Sequence, residues 1–286
     1  MSIVPAGELV IDEPARPTAR GKVSVKLAVG ASIVAAFIAV AIFAPEIAPS
    51  NPLATNPVDT LLPPGTAGHL LGTDELGRDE LSRLIYATRI DLPIAVAAAF
   101  LSAVLGTFLG ALAGYVGRWA DMVILRLADL VQAFPIYILL IALVFALGPG
   151  SRSFLIAYIV VDWVVYARLV RGEILRVRGL DYVSAARAAG LKSSRVLFVH
   201  VLPNAIGQSV IYVMSDMVFA ILALAAFSFL GVGIAPPTAE WGAMTAEGQQ
   251  FLGVAWWLTV CPGVAIAVVA LGLSLIGDGL QDRMRR

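Results

Sequence analysis

The chain of 286 residues is poor in the side chains that carry most enzyme and metal chemistry. It has one cysteine, Cys261, so no disulfide, CxxC redox pair or all-thiolate zinc site can form within it. Its two histidines, His69 and His200, lie far apart in sequence, which argues against a His-rich metal centre. Only Lys22 follows a glycine, and Val23 comes next, so the Gly-Lys-Ser/Thr element of a phosphate-binding loop is missing. HExxH and GxSxG are missing as well. Charged residues make up 14% of the chain, where a soluble domain carries about 25%. Twenty basic and twenty acidic residues cancel, leaving no overall field to attract nucleic acid. No catalytic residue, metal site or cofactor of the chain's own is predicted.

What is abundant is apolar surface: 59% hydrophobic residues and a mean hydropathy of +0.87. These values predict an all-α polytopic membrane protein. Crossing a hydrocarbon core takes about 20 apolar residues as helix. Six segments qualify: 27–44, 93–115, 122–147, 153–171, 206–232 and 254–276. They are too long and too continuously apolar for barrel strands. The first is read as an uncleaved helix, because its run is long and its leader extensive. Gly106, Gly110 and Gly114 recur at a spacing that lays a bare stripe along one helix face.

Orientation follows from Lys and Arg. Six spans put both termini on one side, together with the 116–121 turn and the 172–205 loop. That side and its helix flanks collect sixteen of the twenty basic residues, leaving only Arg78, Arg83, Arg89 and Arg152 opposite. Both termini and the 172–205 loop are therefore predicted to be cytoplasmic. The predicted divisions are a tail 1–26, a first helix with its extracytoplasmic loop 27–92, a core of five spans 93–278, and a tail 279–286.

On the outer side, residues 45–72 are rich in proline and predict an irregular loop. Thr73 or Asp74 is placed to cap a short interfacial helix over 79–90, with Leu81, Leu84, Ile85 and Thr88 on one face. The 233–253 loop adds Trp241 and two carboxylates. Within the spans, Asp162 and Asp216 are ionisable groups that lipid disfavours, so each is expected to face a pathway or a partner such as Arg168. Asp129 and Gln132 are candidate polar contacts between helices.

The polar stretch Asp181–Asn204 stands out in this apolar chain. Asp181 is a good N-cap for a helix 182–189, and Gly190 a natural residue just past its end. Ser193 or Ser194 is placed to cap a second helix near 195–202, which Pro203 helps to end. Ala185, Ala186, Ala188 and Ala189 make the first helix slim enough to enter a cleft on another protein. The bland alternative is an ordinary amphipathic connector.

This stretch resembles the coupling motif of binding-protein-dependent ABC importer permeases: EAA, three residues, Gly, nine residues, Ile-x-Leu-Pro. Ser184-Ala185-Ala186, Gly190 and His200-Val201-Leu202-Pro203 fall at those spacings. Ser184 stands where the motif has Glu, and His200, common in the peptide branch, where it has Ile. HLLGTDELGRD (69–79), LSRLIY (81–86), FSFLGVGIAPPTAEWGAM (227–244) and GDGLQD (277–282) are similar to segments of the C-type permease subunits for dipeptides, oligopeptides and nickel. Leu224 and Ala225 stand where that group often has an acidic residue. Trp163, Arg168 and Arg171 resemble the run leading into the coupling loop.

The resemblance implies a type I ABC importer permease fold with six transmembrane helices in the bacterial inner membrane. It implies transport of di- or oligopeptides, with nickel chelates, opines, glutathione or oligosaccharides as alternatives. Partners would be a second, non-identical permease, two ATPase subunits that hold the ATP and Mg, an extracytoplasmic substrate-binding protein, and membrane lipid. Tyr182, Ser184, Ala185, Ala186, Ala189, Gly190, His200, Leu202 and Pro203 would form the ATPase-coupling interface. Asp162 and Asp216 would line the translocation pathway, and Asp74, Arg78 and Trp241 would meet the binding protein. A capping box between Asp181 and a Glu at 184 would be lost with Ser184. The competing class is a proton-coupled secondary transporter using Asp162 and Asp216.

Overall fold

The computed structural model describes residues 25–284. Residues 1–24 of the first predicted tail, with Arg16, Arg20 and Lys22, and Arg285 and Arg286 of the second lie outside the described residues. The helices are α1 (Val25–Ile42), α2 (Ala44–Ile47), α3 (Glu80–Val116), α4 (Arg118–Gln132), α5 (Ile136–Leu147), α6 (Ser151–Val177), α7 (Asp181–Ala188), α8 (Ser193–Arg195), α9 (Leu202–Ala205), α10 (Gly207–Phe229), α11 (Trp241–Gln249) and α12 (Trp257–Met284). No strand occurs among the described residues. Five helices, α1, α3, α6, α10 and α12, are long and apolar enough to cross a membrane. The pair α4 and α5 supplies a sixth crossing if counted as one span.

That pair corrects the expectation of one continuous span over 122–147: its halves meet at 89°. Pro135 lacks an N–H and its ring excludes a regular turn before it, so α4 ends at Gln132 and α5 starts afresh at Ile136. A second correction concerns 79–90. No separate interfacial helix forms; the segment is the first part of α3, which runs unbroken through Pro93 for 37 residues. Neither Thr73 nor Asp74 caps it. Asp79 does, accepting from the Ser82 N–H at 2.8 Å and the Ser82 hydroxyl at 2.7 Å. The last span also runs further than predicted, because α12 continues through 279–284 instead of giving way to a tail.

Glycines set the closest helix packing. A Cβ on Gly106 or Gly110 would overlap the backbone of Trp163 or Ala167, and one on Gly114 would press on Ile174 of the same helix, α6. The bare stripe thus lets α3 and α6 approach backbone to backbone. Gly30 plays the same part between α1 and α12, where a Cβ would stand 2.6 Å from the Gly272 carbonyl. The main core joins Ala95, Ala98 and Ala99 of α3, Phe154 of α6, Leu224 and Phe227 of α10, Trp241 of α11 and Val269 of α12. Lys26 and Asp282 pair at 3.4 Å, and Met284 reaches Gly207, so both described ends lie beside the start of α10.

Candidate functional site

α7 projects from the end of the bundle where α6 stops and α10 begins. Leu180, extended at φ −78° and ψ 150°, occupies the N-cap position and Asp181 is already the first helical residue. This overturns the expected Asp181 cap. It also removes the capping box: with Leu180 as the cap, position 184 lies one residue beyond the box position, which buried Val183 holds. The helix ends as expected at Gly190, whose φ of +79° suits glycine, with its N–H bonded to the Arg187 carbonyl at 2.9 Å.

One face of α7 is open. Ser184, Ala185, Ala188 and Ala189 are exposed, Ala186 is half-buried, and Tyr182 is exposed with its hydroxyl 3.3 Å from the His200 carbonyl. The opposite face is anchored: Val183 packs with Val196 and Val201 against Val170, Ile174 and Val177 of α6. The end of α3 holds the same unit, through Tyr115, whose hydroxyl donates to the Ser193 carbonyl at 2.9 Å. Arg178 donates to the Gly114 carbonyl at 2.8 Å, and Arg187 lies over the Tyr115 ring.

The second half departs from the simple helix predicted there. Lys192, not a serine, is the N-cap of α8, and no side chain bonds the cap. Val196–Val201 then forms a π-helical stretch leading into α9. Pro203 does not end the helix but sits in the first turn of α9. The wide π turns make room for a ring that would clash with the carbonyl one α-turn back. His200, Leu202 and Pro203 consequently lie on one bent rod that feeds into α10.

Asp162 and Asp216 do come together, but inside the chain. They are only 5% and 0% exposed, so neither lines an open passage in this conformation, contrary to the expected pathway role. The Tyr158 and Tyr166 hydroxyls donate to the two Asp216 oxygens at 2.6 and 2.8 Å. Arg168 is not the partner of Asp162: it pairs with Asp129 at 2.8 Å, joining α4 to α6. Arg171 and Asp121 form a bidentate pair between the same helices.

The face predicted to lie outside departs furthest from expectation. Asp74, Arg78 and Trp241 are 1%, 2% and 0% exposed, so they cannot be the surface that meets an external protein. Asp74 accepts from Arg78 Nε at 2.6 Å and from Arg83. Glu247 of α11 accepts from the same two arginines, at 3.2 and 2.7 Å. Two carboxylates and two guanidiniums thus alternate in a buried quartet that ties the 45–79 loop and α3 to α11. Trp241 is held by its own N–H on Asp91 at 3.1 Å and packs edge-on against Phe37 at 6.1 Å. Asp74, Glu75 and Glu247 approach within 4.8 Å, a spacing that suits a cation, but Arg78 and Arg83 already take that place. Burial pushes the nearby Glu75 carboxyl above its ordinary range. Burial likewise raises Glu240, opposed by its hydrogen bonds from the Gly242 and Ala243 N–H groups. What is exposed outside is a cleft of about 680 Å³ between the two outer segments, lined by Asn51, Pro52, Tyr86, Arg89, Pro237 and Thr238.

Comparison with known proteins accounts for this layout. A family described as "Binding-protein-dependent transport system inner membrane component" matches residues 106–286. A dipeptide transport system permease protein of Alkalihalophilus pseudofirmus is 41% identical over 256 residues, covering 90% of this chain and 84% of the relative. A di/tripeptide transport system permease protein of Pseudomonas aeruginosa is 41% identical, over 85% of this chain and 82% of that one. A glutathione transport system permease protein of Pectobacterium atrosepticum is 36% identical, over 86% and 82%. Among solved structures, a chain of the MetNI methionine ABC transporter superposes with a TM-score of 0.52 at 15% identity, covering 69% of this chain and 96% of its own. A chain of an amino acid ABC transporter gives 0.53 at 15%, covering 71% and 94%. These two establish the fold alone.

Proposed function

The chain belongs to the family of binding-protein-dependent transport system inner membrane components, and from that premise we propose that it moves di- or oligopeptides across the inner membrane. It is the permease of an ABC importer, with the type I importer fold, and such a permease works with ATPase and substrate-binding partners. The peptide assignment is supported by the relatives that transport dipeptides and tripeptides, with glutathione, itself a peptide, the neighbouring alternative. Hydrolysis of ATP, with its Mg, is assigned to two partner subunits. A second, different permease would complete the pathway, and lipid would surround both.

The observation that carries the coupling role is α7: a slim, exposed alanine face on a short helix whose other face is fixed to α6, the π-helical stretch Val196–Val201 and Tyr115 at the end of α3. Ser184, Ala185 and Ala189 face outward and form the docking surface, while Tyr182, Gly190, His200, Leu202 and Pro203 shape and support it. On this reading α7 and both described ends are cytoplasmic, as the excess of basic residues on that side supports. The outer cleft beside Tyr86 and Arg89 takes over the binding-protein contact first assigned to Asp74, Arg78 and Trp241.

A cysteine at Ala185, with Cys261 replaced, tests the docking. It is expected to cross-link to an ATPase subunit in membranes, and cross-links confined to the permease subunits would refute the assignment. Gly190 is a poorer site for that probe, because its φ of +79° strains any side chain.

A further inference from the structure

Asp162 lies one helical turn from both Tyr158 and Tyr166 on α6, and since both tyrosines bond Asp216 of α10, the two carboxyls face each other deep in the helix bundle. The groups around them are Ser102 from α3, Tyr158 and Tyr166 from α6 and Tyr212 from α10. None of these is cationic, and among the described residues neither carboxyl has a salt-bridge partner. Two carboxylates facing each other, away from water and without a counter-charge, cannot both stay ionised.

The geometry says which one holds the proton. Asp216 already receives an O–H on each oxygen, from Tyr158 and Tyr166. Asp162, taken as a carboxylate, leaves its Oδ2 buried without a donor. As a carboxylic acid it has an acceptor in Asp216. One proton therefore lets three O–H donors converge on one carboxylate, and leaves Asp162 to accept from the neighbouring Ser102 hydroxyl, which is likewise buried without a partner.

The location gives this set a task. Tyr166 lies eleven residues before the end of α6 and Asp216 nine residues after the start of α10, or about 17 and 14 Å along the two helices from the coupling segment. The segment itself is held to α6 by the apolar cluster around Val183. Taking residues 181–204 as the ATPase-docking segment, we propose that Asp162 and Asp216 share one proton and, with Tyr158 and Tyr166, act as a positioning clamp. The clamp makes α6 and α10 move as one body when the coupling segment is displaced. None of the four is needed as a contact to substrate.

The test uses the whole transporter, reconstituted with its partner subunits and binding protein, and reads peptide transported per ATP hydrolysed. Asp162→Asn keeps a donor toward Asp216 and is expected to stay within about twofold of wild type. Asp216→Asn turns an N–H₂ toward the converging donors. It is expected to lower transport per ATP by about tenfold, the worth of one charge-assisted hydrogen bond, while binding-protein-stimulated ATPase persists. Should Asp216→Asn fail to assemble, Tyr166→Phe removes one donor without touching a carboxyl and is expected to lower the ratio by about threefold. In infrared difference spectra, wild type minus Asp162→Asn, the carbonyl band of a buried protonated carboxyl should appear, with the bands of other buried carboxyls cancelling. Equal effects of the two Asn variants, or a difference spectrum lacking that band, would overturn the shared proton. ATPase and transport falling in parallel in Tyr166→Phe, or an unchanged ratio, would overturn the clamp. The Ala185 cross-link reads docking separately, so its loss would refute the coupling assignment and its retention would confine any failure to the clamp.

Discussion

Replacing Arg83 by alanine probes the outer quartet most directly. The guanidinium is 1% exposed and donates to Asp74 on the loop and to Glu247 on α11. Its removal leaves the buried Asp74 and the half-buried Glu247 with Arg78 as their one remaining shared cation. Breaking a buried ion pair from one side costs about 3–5 kcal/mol, because the partner charge stays behind uncompensated. The quartet joins two outer segments to the bundle and does not run through the bundle itself. The loss should therefore appear as local opening. At 1.4 kcal/mol per factor of ten, exchange of the amide hydrogens in residues 72–79 and α11 should accelerate by roughly a hundredfold to a few thousandfold. Amides in the buried parts of α6 and α10 should change little. Adding Glu247→Ala to Arg83→Ala removes the stranded charge, so the double variant should be perturbed by less than the sum of the two single variants, by about 1.5–3 kcal/mol. Exchange within tenfold of wild type, or strictly additive single effects, would show that the quartet is not what holds α11 in place.

Gly110→Ala should lower the thermal stability of the purified complex by about 1–3 kcal/mol, since its methyl group would overlap the Ala167 backbone. Gly263→Ala, with open space around its position in α12, should be harmless in the same assay. Glu75 gives a dependence on pH. Its folded pKa is raised by burial, so the folded state holds the proton more tightly than the unfolded chain. Stability of the outer loop should fall as pH rises from the ordinary carboxyl value through the raised one. Glu75→Gln should remove that fall, measurable as loop proteolysis against pH.

The crossing helices were legible because lipid leaves a chain few choices: long apolar runs must be helical, and five of the six predicted segments are single helices. The glycine stripe was legible for a similar reason, since its spacing is a property of one helix. The break at Pro135 was not, because hydropathy averaged over 122–147 hides a turn made by one residue. The quartet was further out of reach. Arg83 and Glu247 stand 164 residues apart, and nothing local marks them as partners. Charges on an outer loop, such as Asp74 and Arg78, read as solvent-facing until the fold closes over them. Asp162 and Asp216 were singled out as costly in lipid, yet the partners of Asp216 are tyrosines, which sequence offers as ordinary aromatic core. In the coupling stretch the motif's spacing survived, whereas the caps moved by one residue, because backbone geometry at Leu180 and Lys192 prevailed over the nearby Asp and Ser side chains.

The unbroken length of α3 has a mechanical meaning. At 37 residues it is a rod of about 56 Å, nearly twice the thickness of the hydrocarbon layer. One end carries Arg83 and the outer quartet, and the other carries Gly114 and Tyr115, which grip the coupling unit. A tilt of about 5° pivoted at either end displaces the opposite end by about 5 Å, roughly one helical turn. Under the proposed docking at the two ends, α3 would link them through the angle of a single helix.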